Sequence, residues 1–214
     1  PDGYLRAARR LTREHGALLI ADEIQSGLGR TGRTFACDHE DVVPDLYVLG
    51  KALGGGILAL SAVAGDDDVI GVLHPGTHGS TFGGNPLACA VGRAVLELLA
   101  SGEPQANAVR LGARLRAALD AAAPATLAAI RSRGLWFGLD LHPRHGSARE
   151  ACERLLAAGV LAKDTHEQTV RLAPPLTMTD ADCDWLLARM LETLTEPAPL
   201  RLPAAPAAPS SFAA

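Results

Sequence analysis

Four segments of the sequence set ionisable or hydroxyl side chains beside glycines, a combination suited to small-molecule chemistry. In Ala21-Asp22-Glu23-Ile24-Gln25-Ser26-Gly27-Leu28-Gly29-Arg30-Thr31-Gly32, carboxylates close an apolar run. A carboxylate there is costly unless partnered. It serves either as a cap or structural ion pair, or as the partner of a cationic ring nitrogen. In Asp45-Leu46-Tyr47-Val48-Leu49-Gly50-Lys51-Ala52-Leu53-Gly54-Gly55-Gly56, a lysine ends a second apolar run. Stripped of solvation, Lys51 becomes a nucleophilic amine; with its stem lying along a sheet edge it remains an ordinary surface charge. The order GK-then-glycines is not a P-loop, which needs its glycine first and GK[ST] at its end. In His78-Gly79-Ser80-Thr81-Phe82-Gly83-Gly84-Asn85-Pro86, hydroxyls and glycine amides precede a helix start and suit a phosphate. Asn85 and Pro86 are equally ordinary helix-starting residues, and His78 alone decides nothing. In Val170-Arg171-Leu172-Ala173-Pro174-Pro175-Leu176, Arg171 could clamp a carboxylate in bidentate fashion or form a surface ion pair.

Alternating helices and short buried strands must position these residues. Tyr4, Leu5, Ala8 and Leu11 are spaced for an amphipathic helix over 4–15, with Gly16 as its C-terminal cap. Ala17–Ala21 and Leu46–Gly50 are apolar throughout and read as strands buried on both faces, the parallel α/β signature. Ser61–Gly65 is a weaker third strand. Two strands thus end in ionisable residues at their carboxyl ends, where open α/β sheets bind ligands. Leu87, Val91, Val95 and Leu98 mark a helix from Asn85, and a second helix runs over Asn107–Leu119. The break at Gly102-Glu103-Pro104 is the expected domain boundary. Beyond it come a strand at 135–141, a helix holding Ala151, Cys152, Leu155 and Leu156, a strand at 168–172, and a helix carrying Trp185, Leu186, Met190 and Leu194. The expected division is 1–103, 104–196 and a disordered Pro/Ala-rich tail at 197–214. No internal repeat is visible.

Composition narrows the function class. Of 214 residues, 48% are hydrophobic and 21% charged, the make-up of a globular chain with a substantial core. A net charge of -4 and a pI near 6.0 argue against a nucleic-acid surface. No apolar run approaches the roughly 18–20 residues of a membrane span, and the opening PDGYLRAARR has no signal core. The four cysteines stand far apart with no CxxC pair, which favours reduced thiols, no metal site and a cytoplasmic setting. The chain opens at Pro1 and runs almost at once into a helix, so a partial chain is expected.

Each segment alone is a weak signal; their order and spacing together are specific. DEIQSGLGRTG, GKALGGG, HGSTFGGNP and RLAPPL resemble the class III (fold type I) aminotransferases, which depend on pyridoxal 5'-phosphate (PLP). The resemblance covers residues 1 to about 195, with Asp22 and Lys51 29 residues apart and Lys51 and Thr81 30 apart. It implies an α/β fold: part of a large PLP-binding domain with a mostly parallel sheet, followed by a small α+β domain. By analogy Lys51 forms the Schiff base and then moves protons, while Asp22 pairs with the pyridine nitrogen and Gln25 sits near the phenolic oxygen. Ser80 and Thr81 would reach the phosphate, Thr81 that of the neighbouring subunit, which implies a homodimer. Arg171 would bind the carboxylate of glutamate or 2-oxoglutarate.

GKAL, DLYVLGKAL and LAKDTHEQTVRLAPPL most resemble the ornithine-specific members, implying ornithine plus 2-oxoglutarate giving glutamate 5-semialdehyde plus glutamate. Acetylornithine and 4-aminobutyrate remain alternative donors, and a non-catalytic remnant is the alternative of another class. Gly56-Ile57-Leu58-Ala59-Leu60-Ser61 departs from the GG-x-Tyr-Pro-Val-Ser pattern of ornithine enzymes. The family's N-terminal half has no counterpart here. The chain alone is therefore expected to be inactive, with an unpaired sheet edge.

Overall fold

A computed structural model describes residues 1–195, so the expected tail from residue 197 lies outside the described residues. The chain divides into two compact units. The first comprises Pro1–Arg114, Ser132–Trp136 and Pro174–Thr179; the second comprises Leu115–Arg131, Phe137–Ala173 and the segment from Asp180. Sequence placed its boundary at 103/104, whereas the units interleave along the chain.

The first unit opens with α1 (Tyr4–Glu14). Its N-terminal amides find a partner far along the chain: Glu40 accepts from Gly3 N and Arg6 N, each at 3.1 Å. Gly16 stands just past its end at φ 62, the left-handed conformation glycine takes without a Cβ penalty. Strand β1 (Ile20–Asp22) follows, then β2 (Leu46–Leu49) and β3 (Ala62–Gly65), in the order β1-β2-β3. β1 runs parallel to β2, with Ile20 opposite Leu46 and Asp22 opposite Val48. β3 is antiparallel to β2. Arg9 on α1 grips Asp45 through both guanidinium nitrogens, at 2.5 and 2.9 Å. Asp45 also accepts from Leu19 N at 2.7 Å, which fixes where β1 meets β2. That arginine holds the Asp45 carboxyl below its ordinary range.

The expectation of strands buried on both faces is not met. Ile20 on β1 is more than half exposed and Leu46, Tyr47 and Val48 on β2 are only half-buried, so neither strand is covered on both faces. The core of this unit is instead Leu28, Leu49, Leu53 and Leu99, with Phe35, Tyr47, Leu60 and Val95 packed against it.

After the short α2 (Asp67–Ile70) come α3 (Pro86–Ala100) and α4 (Glu103–Ala122). Asn85 caps α3, its side chain accepting from Ala88 N at 2.9 Å, with Pro86 at the first helical position. The helix is turned from its expected face. Ala88, Gly92 and Leu99 are buried, while Leu87 is 65% and Leu98 54% exposed. Small residues decide this: a Cβ on Gly92 would lie 2.6 Å from Leu60, so the helix packs closely along its glycine.

The second unit is built on a four-stranded sheet of order β4-β5-β7-β6, formed by β4 (Leu127–Arg133), β5 (Trp136–Leu141), β6 (Lys163–Thr165) and β7 (Thr169–Leu172). β5 and β6 each run antiparallel to β7. Along β5, Phe137, Leu139 and Leu141 are buried and alternate with half-buried residues, as one covered face requires. Burying such a leucine contributes about 1.5–3 kcal/mol. Helix α5 (Ala148–Ala157) packs on β6, β7 and α6 (Asp180–Thr195). It starts at a capping box between Ser147 and Glu150, and inserts Ala151, Cys152 and Leu155. Leu156, expected inside, is 57% exposed, and Trp185 on α6 is 50% exposed. β4 and β6 were not legible in the sequence. Both are edge strands with mixed or polar residues, and pairing rather than pattern makes them strands.

Candidate active site

Because β1 and β2 run parallel, their carboxyl ends lie side by side. Asp22 ends β1 level with Val48, and the chain leaves β2 through Gly50 to Lys51. Gly50 is extended, at φ -175. Lys51 then takes φ 45, a region non-glycine residues seldom adopt, as it opens the tight turn Lys51–Gly54. Backbone strain of this kind, about 1–3 kcal/mol, concentrates where a side chain is aimed for a purpose.

The Lys51 side chain is exposed, not desolvated as its place after an apolar run suggested. Its Nζ donates to Gln25 Oε1 at 2.7 Å. Gln25 stands on the turn that follows β1, three residues after Asp22. That turn is locally closed: Asp22 Oδ1 accepts from Ile24 N at 3.0 Å, and Gly27 N donates to Glu23 O at 3.0 Å. Asp22 therefore caps its own turn while remaining exposed at the end of β1.

The two adjacent carboxylates take opposite fates, which the sequence did not disclose. Asp22 is exposed, whereas Glu23 is 2% exposed. Glu23 accepts from Ser26 Oγ at 2.5 Å and from Cys37 N at 2.9 Å. Burial, then the hydrogen bond and charge of Glu23, push the Cys37 thiol up to about 12. The available signal was the run Glu23-x-x-Ser26-Gly27, a hydroxyl and a glycine in reach of one carboxylate.

Lys51 also lines a cleft of about 410 Å³, with Leu60, Ser61, Ser80, Phe82 and Gly83 among its other walls. Ser80 Oγ accepts from Gly83 N at 2.9 Å, shaping the loop ahead of α3. Thr81 is exposed on that loop, beside Ser80. Lys51, Gln25 and Ser80 are thus gathered in the first unit, with Asp22 at the adjoining strand end. Arg171 belongs to the second unit, exposed on β7 opposite Gly138 and Lys163. Among the described residues no group of three His, Cys, Asp or Glu side chains could hold a metal ion, and no helix is long and apolar enough to cross a membrane.

These residues fit an aldehyde-bearing, phosphorylated pyridine. An accessible primary amine is hydrogen-bonded to a carboxamide and shares with a hydroxyl-bearing loop a cleft of the size small ligands occupy, about 300–1,000 Å³, and a carboxylate ends the adjoining strand.

Comparison with known proteins agrees. The family model described as aminotransferase class III matches residues 1–194. The ornithine aminotransferase of Bacillus subtilis strain 168 is 46% identical over 194 residues, covering 91% of this chain and 48% of that protein. That of Geobacillus sp. WCH70 is 47% identical over 190 residues, covering 89% and 47%. Among solved structures, the ornithine aminotransferase of Toxoplasma gondii ME49 superimposes with a TM-score of 0.86 at 41% identity, over 91% of this chain and 47% of that one. Another structure of the Toxoplasma gondii enzyme has PLP at partial occupancy in its active site, with a TM-score of 0.85 at 42% identity over 90% and 46%. An acetylornithine aminotransferase from Elizabethkingia anophelis gives 0.84 at 38% identity, over 91% and 49%. The chain spans about half the length of the curated relatives it matches. Its fold is part of the type I fold of the PLP-dependent aminotransferases, and the chain belongs to the class III aminotransferase family.

Proposed function

We propose that this chain is the part of an ornithine aminotransferase that carries the reactive lysine, in a protein transferring the δ-amino group of L-ornithine to 2-oxoglutarate. The products are glutamate 5-semialdehyde and glutamate. The hydrogen bond from Lys51 to Gln25 carries this reading, because it joins a primary amine that lines a cleft to the turn leaving β1. When bound, PLP supplies a ring that delocalises the electrons left by a broken C–H bond. Lys51 would hold the cofactor, give way to the substrate amine, and then take and return the proton at the amine-bearing carbon. Asp22 would hold the ring nitrogen protonated. The Gln25 amide, once Lys51 turns away, is free to hydrogen-bond the phenolic oxygen.

Ser80 and Thr81 would hold the phosphate, Thr81 that of a second protomer, so a homodimer is part of the proposal. Arg171 would clamp the carboxylate shared by glutamate and 2-oxoglutarate. Relatives at 45–47% identity support ornithine as donor. The likeness to an acetylornithine enzyme supports N-acetylornithine as the competing one. The chain alone is proposed to be inactive, since its sheet leaves Ile20 and Val63 more than half exposed. Four free cysteines agree with a cytoplasmic setting.

The test is to incubate the chain with PLP, reduce with borohydride and map the pyridoxyl group by mass spectrometry, with Lys51→Ala as control. Label confined to Lys51 supports the reading. If the natural gene product containing this sequence takes no label at Lys51, the aminotransferase reading is wrong. Comparing ornithine, N-acetylornithine and 4-aminobutyrate as donors for that product then identifies the substrate.

A further inference from the structure

Glu23 has no part in the chemistry above, yet both of its carboxylate oxygens are engaged beside the site. It is 2% exposed beside an exposed neighbour, Asp22. Both carboxylate oxygens accept hydrogen bonds, Oε1 from Cys37 N at 2.9 Å and Oε2 from Ser26 Oγ at 2.5 Å. Its main chain is held as firmly, the N–H donating to Val48 O at 3.0 Å and the carbonyl accepting from Gly27 N at 3.0 Å. Space around it is full: a Cβ on Gly27 would lie 2.8 Å from Glu23 O and 3.0 Å from Glu23 Cβ.

These bonds bracket Gln25. On one side the backbone is tied to β2 at Val48; on the other, Ser26 is tied to the Glu23 carboxylate, which is itself anchored to the Cys37 segment. Gln25 sits between, and its amide oxygen lies 2.7 Å from Lys51 Nζ. Irregular turns hold no such position by themselves, because nothing in their backbone repeats. A displacement of about 1 Å would carry this contact past the limit of a hydrogen bond.

We propose that Glu23 is a positioning residue for the reactive lysine, acting through Gln25: its buried carboxylate holds the turn that presents the amide oxygen to Lys51. This rests on the reading of Lys51 as the reacting amine. Its effect is on the amine itself, since a nitrogen tethered to Gln25 is less free to turn toward an electrophile.

The test uses the natural gene product without cofactor, so it does not depend on turnover. Trace acetylation followed by mass spectrometry gives the rate at Lys51 relative to Lys163, an exposed lysine that serves as reference. Glu23→Ala and Ser26→Ala are expected to raise that ratio about threefold or more. In a Gln25→Ala background they should add nothing, because the contact they support is already gone. Glu23→Gln keeps the size and an oxygen for Cys37 N, and the Ser26 hydroxyl can turn to accept from its amide. It should stay within about twofold of the parent. An unchanged ratio in folded Glu23→Ala and Ser26→Ala proteins overturns the proposal. So does an effect of undiminished size when Gln25 is absent. Should Glu23→Ala fail to give a native near-ultraviolet circular dichroism spectrum, Ser26→Ala, which removes one hydroxyl, decides. Pyridoxyl labelling of Lys51 separately tests the reading on which this rests, so the two failures are told apart.

Discussion

Lys51 Nζ donates to Gln25 Oε1 at 2.7 Å, joining the end of β2 to the turn that leaves β1. A lysine in that place has a partner that accepts its hydrogen bond, and a cleft that its side chain lines. Five outcomes follow from the geometry.

Replacing Lys51 removes the amine proposed to bond covalently to the cofactor. In the natural gene product, Lys51→Ala is expected to abolish pyridoxyl labelling and lower turnover by about 10³-fold or more. Thermal unfolding should barely change, because the side chain is exposed. Mass spectrometry after borohydride and a donor-saturated rate assay check this.

Asp22 serves both as a cap and as a charge, and Asp22→Asn separates the two. The amide oxygen can still accept from Ile24 N, so stability should shift by less than about 0.5 kcal/mol. The lost charge should cost about 10²-fold or more in turnover, if it is the partner of a cationic ring. Equal activity in the variant would leave Asp22 as a cap alone.

Asp45 is held below its ordinary carboxyl range, first by the Arg9 hydrogen bond and then by Leu19 N. A depressed folded-state pKa contributes stability that is complete above the unfolded value of about 3.9. That contribution drains away as pH falls through the folded value. Urea melts from pH 7 downward should therefore show stability falling below about pH 4, and Asp45→Asn should flatten that fall. At pH 7 the same variant should cost about 2 kcal/mol, since Arg9 and Leu19 N lose their charged acceptor.

The cysteines should divide by exposure. Cys89 is exposed, whereas Cys37, Cys152 and Cys183 are buried. The Cys37 thiol, pushed up to about 12 mainly by burial, holds almost no thiolate at pH 8. A thiol reagent at that pH should modify Cys89 within minutes and the other three only after denaturant is added. Peptide mapping reads the order directly.

Gly134, at φ 55, sits where a Cβ would lie 2.6 Å from Arg30 O and 2.9 Å from Gly32 N. These are backbone atoms that cannot swing aside. The same glycine's carbonyl would meet a Cβ on Gly112 at 2.2 Å. Gly134→Ala is expected to destabilise by about 3 kcal/mol or more. A chemical melt compared with an exposed control, Gly56→Ala, checks this.

Much of the fold was legible because the signals were local. Asn85 followed by Pro86 marked the start of α3, and Leu46–Leu49 followed by Gly50-Lys51 marked β2 and its exit. Capping and apolar periodicity act between residues a few positions apart, so a reader of the chain sees them directly. The edge strands β4 and β6 were not visible, since their hydrogen bonds come from β5 and β7 and their own residues show no regular apolar alternation.

The site shows the same division. The motifs, their order and their spacing marked Asp22, Gln25, Lys51, Ser80, Thr81 and Arg171 as the residues to examine. Sequence alone determined that two strand ends carry ionisable groups and that a hydroxyl-glycine loop precedes a helix. Only the tertiary structure decided that Lys51 is exposed and held by Gln25, and that Ser80 shares its cleft. It also decided which of two adjacent carboxylates is buried. Asp22 and Glu23 are equivalent in the chain, but Cys37 N and Ser26 Oγ can satisfy only the one that turns inward. Burying a carboxylate is affordable only where donors converge on it, and half of that convergence comes from a segment fourteen residues away.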